Sequence, residues 1–251
     1  MALTVSATEL GTYASSRFCL HCAWVRLHVK KLPFQSFPGI FSTIDRYNKL
    51  IVQNHFQREQ ALPLWLQQLG EAGTCVNPPH WSSYKVLEEE SGITIRGEAD
   101  GIFQMKDGSY TIVDYKTAKY SAAQQGMFRA YEVQLNAYAY IGERLEFSPV
   151  RRLALVYMEP MTGEEKTMEP HLVDDKGFTM GFEATVVNVD LRPDALIPRL
   201  LKKVREVVDM GRPPLGLPDC KDCEALDGLM DALGRRSSVA LLKTCPRIGF
   251  F

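Results

Sequence analysis

The spacing of apolar residues changes from a helical period near the start of the chain to a strand period in its middle. Ser6-Ala-Thr-Glu9 is a capping box, which predicts a short helix to about Tyr13, and a second helix is predicted at about 16–30. From about 42 to 68 the apolar residues recur at helical spacing, interrupted by Leu62-Pro63. Residues 84–120 instead alternate apolar with polar side chains, which predicts strands.

The second half of the chain adds more elements of both kinds. Its pattern predicts a long helix, a hairpin, an amphipathic helix and a final short helix, at residues 121–145, 153–158 with 165–172, 190–209 and 223–233 in turn. This order predicts an α/β fold with a central mixed β-sheet flanked by helices. We expect a single domain over residues 1–251, in which cysteine-bearing segments at about 15–30 and 211–251 can pack together.

The strand region contains one hairpin whose register can be predicted. Two alternating runs flank the three residues 106–108 (Lys-Asp-Gly), and a three-residue loop that ends in glycine suits a type I turn followed by a left-handed residue. This register puts Asp100 opposite Asp114 and Glu98 opposite Lys116, and all four side chains project from one face because strand side chains alternate. A two-residue Asp-Gly loop is the main rival, and it would put the two aspartates on opposite faces.

Two carboxylates on neighbouring strands repel each other unless a positive charge lies between them. Mg²⁺ and Mn²⁺ take oxygen ligands and are the natural partners for such a pair. Lys116, beside that metal, could polarise an attacking water or stabilise charge that develops on a phosphate. The alternative is a surface hairpin with an ordinary Glu98–Lys116 pair, which leaves Asp100 and Asp114 at the end of a buried Ile-Val run unexplained.

These residues carry a resemblance to a known family. Gly97-Glu-Ala-Asp100, a hydrophobic strand and Asp114-Tyr-Lys116-Thr117 resemble the second and third motifs of the PD-(D/E)XK nuclease superfamily, in its RecB-like exonuclease branch. The next predicted helix supplies Gln134-Leu-Asn-Ala-Tyr138, which resembles that branch's Q-x-x-x-Y motif, and residues at i and i+4 share a helix face.

The resemblance implies a restriction-endonuclease-like core and a role for each matched residue. Asp100 and Asp114 would bind Mg²⁺ or Mn²⁺, with the backbone carbonyl of Tyr115 as a further ligand. Lys116 would activate water, while the amide and phenol of the Q-x-x-x-Y pair, Gln134 and Tyr138, would position the lysine or contact DNA.

The first motif departs from the family pattern. RecB-like members usually carry a histidine on the helix before the sheet, whereas classical members carry a glutamate. Here that helix offers Asp45 and His55, and we slightly favour Asp45 as a further metal ligand because it lies nearer the helix start. Asp45 and Lys49 also form an i, i+4 pair, which could be only a surface ion pair.

The cysteines suggest a second metal site. Cys19-x-x-Cys22 and Cys220-x-x-Cys223 together make the ligand set of a tetrahedral Cys₄ site for zinc or an iron–sulfur cluster. RecB-like nucleases that hold an iron–sulfur cluster use one N-terminal and three C-terminal cysteines, so this chain departs from them with two and two. Buried or free thiols are the alternative.

The implied function is a metal-dependent DNA nuclease that hydrolyses phosphodiester bonds. The resemblance suggests an exonuclease acting on DNA ends or single strands in repair, recombination or phage and CRISPR systems, similar to CRISPR-associated RecB-like nucleases. The alternatives are a non-catalytic nucleic-acid-binding or assembly module that retains the nuclease fold, and a zinc-binding interaction protein. The intact D…D-x-K favours activity, whereas the departure at the first motif favours a module.

Composition and charge narrow the choice among these functions only slightly. The net charge of −1 and the pI near 6.5 give no global sign of nucleic-acid binding, although positive charge can be confined to one groove. No run approaches the roughly 18 apolar residues of a membrane span. The N-terminus also lacks the basic start and apolar run of a signal peptide. We therefore expect a cytoplasmic location and no membrane partner.

Overall fold

The computed structural model describes residues 3–29, 38–121 and 125–233. Its strands, β1 to β10, are Leu3–Ser6, Ala72–Val76, Lys85–Glu88, Ile93–Arg96, Gly101–Met105, Tyr110–Lys116, Val150–Pro160, Val173–Asp174, Gly177–Phe178 and Phe182–Val189. Its α-helices, α1 to α7, are Ala7–Thr12, Leu20–His28, Gly39–Glu59, Gln125–Glu143, Glu164–Thr167, Pro193–Val208 and Lys221–Ala232. Short 3₁₀ segments lie at Leu64–Leu69 and Pro170–Leu172.

The chain divides into two units. The first comprises residues 1–15 and 36–202, and the second comprises residues 16–35 and 203–251. No helix in the described part of the chain has both the length and the apolar character needed to cross a membrane.

The centre of the first unit is a mixed sheet, as the sequence predicts. Within the described residues it has the strand order β10-β7-β6-β5-β2, with β6 and β7 parallel and the other neighbours antiparallel. A smaller sheet has the strand order β1-β4-β3. A short loop connects the end of its strand β4 to the start of β5. The expected α/β class, with a central mixed sheet flanked by helices, is confirmed.

Helices cover both faces of this sheet, because successive side chains of β6 and β7 point to opposite faces and are buried on both. Val52 and Phe56 of α3 pack with Val113 and Tyr115 of β6 in one core cluster. The opposite face of β6 carries Asp114, and helix α4 packs there against β6 and β7. The functional strand therefore lies between α3 and α4, and each helix can deliver side chains to its end.

The predicted hairpin register is confirmed. Gly101 pairs with Val113 and Gln104 pairs with Tyr110, which is the register of a three-residue loop. Gly108 has φ +84, a left-handed conformation that favours glycine. The ladder begins at Gly101, so it contains neither Asp100 nor Glu98, and Glu98 is exposed. The expected Glu98–Lys116 pairing is therefore wrong.

One predicted hairpin is also wrong. β7 pairs antiparallel with β10, not with residues 165–172, and the register runs from Phe182 opposite Pro160 to Val189 opposite Leu153. Residues 164–167 instead form the short helix α5, since Glu164 and Glu165 suit a helix N-terminus. Strand β2 was not anticipated, because its glycine and a register shift between Ala72 and Thr74 hide the alternation.

The predicted helices are present. Glu9 N–H donates to Ser6 Oγ over 3.1 Å and Glu9 Oε2 accepts from Ser6 N–H over 2.7 Å, which completes the capping box of α1. Helix α3 ends before Leu62-Pro63, with Gln60 in a left-handed conformation at its C-cap. It begins at Gly39, three residues before the predicted start at 42.

Candidate active site

The candidate site forms where β6 ends, beside the start of β5. Asp114 and Lys116 project from β6 toward α4, and Asp100 immediately precedes β5. Helix α4 contributes Gln134 and Tyr138, one turn apart, from above that face. The structure thus brings together the five residues for which the sequence predicts a catalytic role.

A hydrogen-bonded network joins four of them. Lys116 Nζ lies 2.6 Å from Asp114 Oδ2 and donates to Gln134 Oε1 over 3.2 Å. Gln134 Nε2 in turn donates to Asp114 Oδ1 over 3.1 Å and to Tyr138 Oη over 2.7 Å. The Gln134 amide therefore holds the lysine and the aspartate at once, and Tyr138 fixes the rotation of that amide.

Helix α3 completes the site with an ion pair. Lys49 Nζ lies 2.7 Å from Asp100 Oδ1 and 2.8 Å from Asp45 Oδ2, while Asp100 Oδ2 accepts from the Tyr115 N–H over 2.8 Å. Asp45 and Lys49 therefore reach a largely buried aspartate, which a surface ion pair would not do. His55 lines neither of the two cavities at the site.

Burial controls the charge of the two central aspartates. Burial and the neighbouring charge of Asp100 raise the pKa of Asp114 to about 7, although Lys116 opposes the shift. Burial also raises the pKa of Asp100 above its usual range, against the opposing effect of Lys49. Close, buried carboxylates of this kind are stabilised by a cation between them.

The donor set fits a hard divalent cation. The carboxylates of Asp100 and Asp114 are oxygen ligands, Asp45 is close enough to share Lys49 with Asp100, and Mg²⁺ and Mn²⁺ prefer oxygen. Asp114 is buried, so a bound cation would offset a charge that water cannot reach.

The raised pKa of Asp114 predicts a pH dependence of the metal-free protein. Because the folded-state pKa of about 7 lies above the unfolded value, this group stabilises the fold at low pH. That contribution is lost as the pH rises through 7. We expect the melting temperature in a chelator to fall between pH 5 and pH 8, and to fall less in Asp114→Asn.

Thermal melts of both proteins across this range check the prediction. An equal pH dependence in the two proteins would show that Asp114 does not titrate with the raised pKa. Metal affinity should change in the opposite direction and strengthen above pH 7, because binding requires the carboxylate form.

Two cavities adjoin the carboxylates, and Asp45 lines both. The larger, about 480 Å³, is also lined by Asp100, Lys49, Trp81 and Arg96. The smaller, about 330 Å³, is lined by residues that include Phe41, Tyr115, Lys116, Thr117 and Tyr131. The carboxylates of Asp45 and Asp100 can thus be approached through an open cavity.

Sequence reasoning missed several residues of this site. Tyr131 places its ring 4.4 Å from Lys116 Nζ, a cation–π contact that further fixes the lysine. Its signal was its position one turn before Gln134. The sequence identifies Lys49 only as an i, i+4 partner of Asp45, and it gives no signal for Trp81 or Arg96.

The glycine of the first matched motif has a packing role. A Cβ at Gly97 would lie 2.6 Å from two ring carbons of Tyr138, whose ring is buried. We expect Gly97→Ala to lower the free energy of unfolding by about 1–3 kcal/mol, because the aromatic ring has no room to move. Urea denaturation measures this change.

Gly163→Ala is the matched control, because a Cβ there meets nothing within 4 Å. If Gly97→Ala unfolds at the same urea concentration as the wild type, the close packing of Tyr138 on Gly97 is wrong.

Residues 34–227 match the family model described as the PD-(D/E)XK nuclease superfamily. The match contains the aspartates, the lysine and the glutamine–tyrosine pair of the site, and it spans most of the chain. The chain belongs to this superfamily. Membership implies nuclease activity on a nucleic-acid substrate, with a divalent metal as cofactor. The central mixed sheet and its flanking helices accordingly form a restriction-endonuclease-like fold.

Two further comparisons add little to this assignment. No curated protein matches the chain. A solved structure, titled "Crystal structure of SSO0001", is similar with a TM-score of 0.41 and 13% sequence identity, over 96% of this chain and 87% of that one.

The four predicted cysteine ligands meet in the second unit. Cys19 and Cys220 are the N-caps of α2 and α7, and Cys22 and Cys223 lie in the first turns. All four sulfur atoms lie within 4.8 Å of one another, and three of the separations are 3.5–3.6 Å. Helix N-termini stabilise thiolates, so this placement suits a metal-binding cluster.

Neighbouring groups orient these sulfurs. The Leu217 N–H donates to Cys19 Sγ over 3.2 Å, and His21 Nδ1 lies 3.4 Å from Cys223 Sγ. Backbone and imidazole contacts of this kind are usual around metal-bound thiolates. Cys245 lies outside the described residues, and Cys75 packs against the core of the first unit.

Proposed function

We propose that this protein is a Mg²⁺- or Mn²⁺-dependent DNA nuclease of the RecB-like branch. Within that branch, we propose that it is an exonuclease that acts on DNA ends or single strands. The observation that supports it best is the direct bonding of Gln134 to both Lys116 and Asp114. This contact supports a role for the Q-x-x-x-Y motif in the active site. If Gln134 served only to pack the core, its amide would not need to contact Lys116.

Each side chain then has a task in phosphodiester hydrolysis. Asp100 and Asp114 would hold the metal, with Asp45 and the carbonyl of Tyr115 as further ligands. When bound, the metal supplies a polarised water and neutralises charge on the phosphate. The Lys116 ammonium would lie beside this water and the phosphate, where it orients the attacking water and stabilises the negative charge of the transition state.

A non-catalytic module is the second candidate, and one observation favours it. Lys49 already neutralises Asp45 and Asp100, so these carboxylates are paired before any metal binds. Such a module would still bind nucleic acid but would not hydrolyse it.

For the cysteine cluster we propose a single zinc ion. A Zn–S distance near 2.3 Å puts the sulfurs of a tetrahedral site ~3.8 Å apart. Three of the observed separations are 3.5–3.6 Å, close to that value, and all four sulfurs lie within 4.8 Å of one another, whereas a cluster of several irons holds its cysteine sulfurs further apart. Its role would be structural, since no open ligand position remains.

End-labelled single- and double-stranded DNA, incubated with Mg²⁺, Mn²⁺ or a chelator, tests the nuclease proposal. We expect metal-dependent cleavage by the wild type, cleavage about 10²–10³-fold slower by Lys116→Ala, and none by Asp114→Ala. Circular single strands should survive if the enzyme requires an end. Cleavage that persists in both variants would refute the site, and DNA binding without cleavage by any form would favour the module.

A further inference from the structure

The turn between β2 and β3 presents an aromatic side chain at the edge of the active site. Trp81 is 45% exposed, and the guanidinium of Arg96 lies 4.6 Å from its ring centroid. Ser83 and Tyr84 N–H groups both donate to the His80 carbonyl, which closes the turn around Trp81. The His80 ring lies 4.9 Å from the Trp81 ring and is tilted by 45° to it, and the part of Trp81 that stays exposed forms an aromatic platform at the edge of the cavity.

This platform is held at a fixed distance from the catalytic residues. The buried Tyr84 ends the turn, and its hydroxyl donates to the backbone carbonyl of Tyr138 over 2.7 Å. Arg96 is the last residue of β4 and Gly97 follows it against the Tyr138 ring. The turn that carries Trp81 and the strand that carries Arg96 therefore both contact Tyr138, the residue that orients Gln134.

The cavity below the platform fits a nucleobase better than a phosphate. At about 480 Å³ it has the size of a small-molecule site. In the metal-free protein its charged lining consists of Lys49 and Arg96 against Asp45, Glu98 and Asp100, which leaves no surplus of positive charge to hold an anion. A neutral aromatic ring can stack there without an ionic partner.

We propose that this cavity binds one unpaired nucleobase of the substrate strand, stacked on the exposed part of Trp81, next to the phosphate that is cleaved. The proposal rests on the proposed function and deepens it, because it makes a single-stranded or frayed segment the substrate. A base inside a duplex would first have to leave its stack, which disfavours it.

Binding of a fluorescent oligothymidylate, measured by anisotropy in a chelator, tests the proposal without cleavage. We expect Trp81→Ala to bind about tenfold more weakly, since stacking on one aromatic side chain contributes on that scale. Trp81→Phe should restore most of the affinity. Phe178→Ala, an exposed aromatic that lines neither cavity, should bind as the wild type does.

A scan of single abasic positions along the oligonucleotide locates the base. One position should weaken binding to the wild type and have no effect on Trp81→Ala. If Trp81→Ala binds every oligonucleotide as tightly as the wild type, the subsite is refuted while cleavage by the wild type still stands. If the wild type neither binds nor cleaves, both proposals fail together.

A separate observation carries an inference about Lys49. Its ammonium occupies Asp100 Oδ1, and the other oxygen of Asp100 is held by the Tyr115 N–H, so both oxygens already have donors. Lys49 also touches Asp45 and is itself largely enclosed. We infer that Lys49 is a built-in competitor that a divalent cation must displace from Asp100.

Mn²⁺ binding, followed by electron paramagnetic resonance, tests this competition. Lys49→Met should bind Mn²⁺ about tenfold more tightly, because a like charge beside the ion is removed. Lys106→Met is the control, since that lysine pairs with the exposed Glu71. Affinity that is equal to or weaker than the wild-type value would overturn the inference and make Lys49 a positioning residue for the aspartates.

Discussion

Lys116→Ala is expected to reduce the rate of DNA cleavage by about 10²–10³-fold, the scale seen when one group that stabilises the transition state is removed. The ammonium lies 2.6 Å from Asp114 Oδ2 and 3.2 Å from Gln134 Oε1, against the ring of Tyr131, so these three groups fix its position at the end of β6. Single-turnover cleavage of labelled DNA in Mg²⁺ measures the effect on the chemical step.

The same substitution leaves the buried Asp114 without its ion pair. Its pKa should rise above the value of about 7, since Lys116 is one of the groups that hold it down. Lys119→Ala is the matched control, because that lysine is exposed and pairs only with Glu159 among the ion pairs of the described residues. Equal loss of activity in both variants would contradict a specific role for Lys116.

Replacing Cys19 and Cys223 together with serine is expected to remove the bound metal and unfold the second unit. Structural zinc in a small unit contributes about 10 kcal/mol or more to folding. Within the described residues, other polar contacts that join α2 to residues 203–233 include the Trp24 indole N–H to Met210 carbonyl bond at 3.0 Å and the exposed Arg26–Asp222 ion pair. Elemental analysis should find one zinc per wild-type chain and none in the variant.

Loss of helical circular dichroism should accompany loss of the metal. Cys75→Ala is the control, because Cys75 lies outside the cluster and its removal should leave the zinc content at one. A brown wild-type protein that contains iron would show that the cysteines hold an iron–sulfur cluster and not zinc. A metal-free wild type that melts like the variant would refute the site.

The parts of this structure that local rules determine could be predicted from the sequence. The loop that ends in Gly108 and the strict alternation around it determine one register, in which Gly101 lies opposite Val113. Asp100 directly precedes this ladder and Asp114 lies within β6, so both aspartates come to the same end of the hairpin. The spacing of Gln134 and Tyr138 determines that both face the same side of α4. In each case the partners lie within a few residues of each other or on one hairpin.

The parts that failed depend on contacts between distant segments. β7 finds its partner β10 beyond α5 and a small two-stranded ribbon, and nothing in the sequence of β7 excludes the nearer segment. Asp45 and His55 lie ~15 Å apart along α3, so only one can reach the sheet end. Which one does so depends on how Val52 and Phe56 pack, and this is a tertiary property.

Mn²⁺ binding and DNA cleavage, measured together in the wild type and in Asp114→Asn, test the central claim most directly. The substitution keeps the shape of the side chain and removes its charge. We predict that wild-type cleavage reaches half its maximum at the Mn²⁺ concentration that half-fills the site, and that Asp114→Asn loses both the binding and the cleavage. An Asp114→Asn protein that binds Mn²⁺ and cleaves DNA as the wild type does would contradict the account.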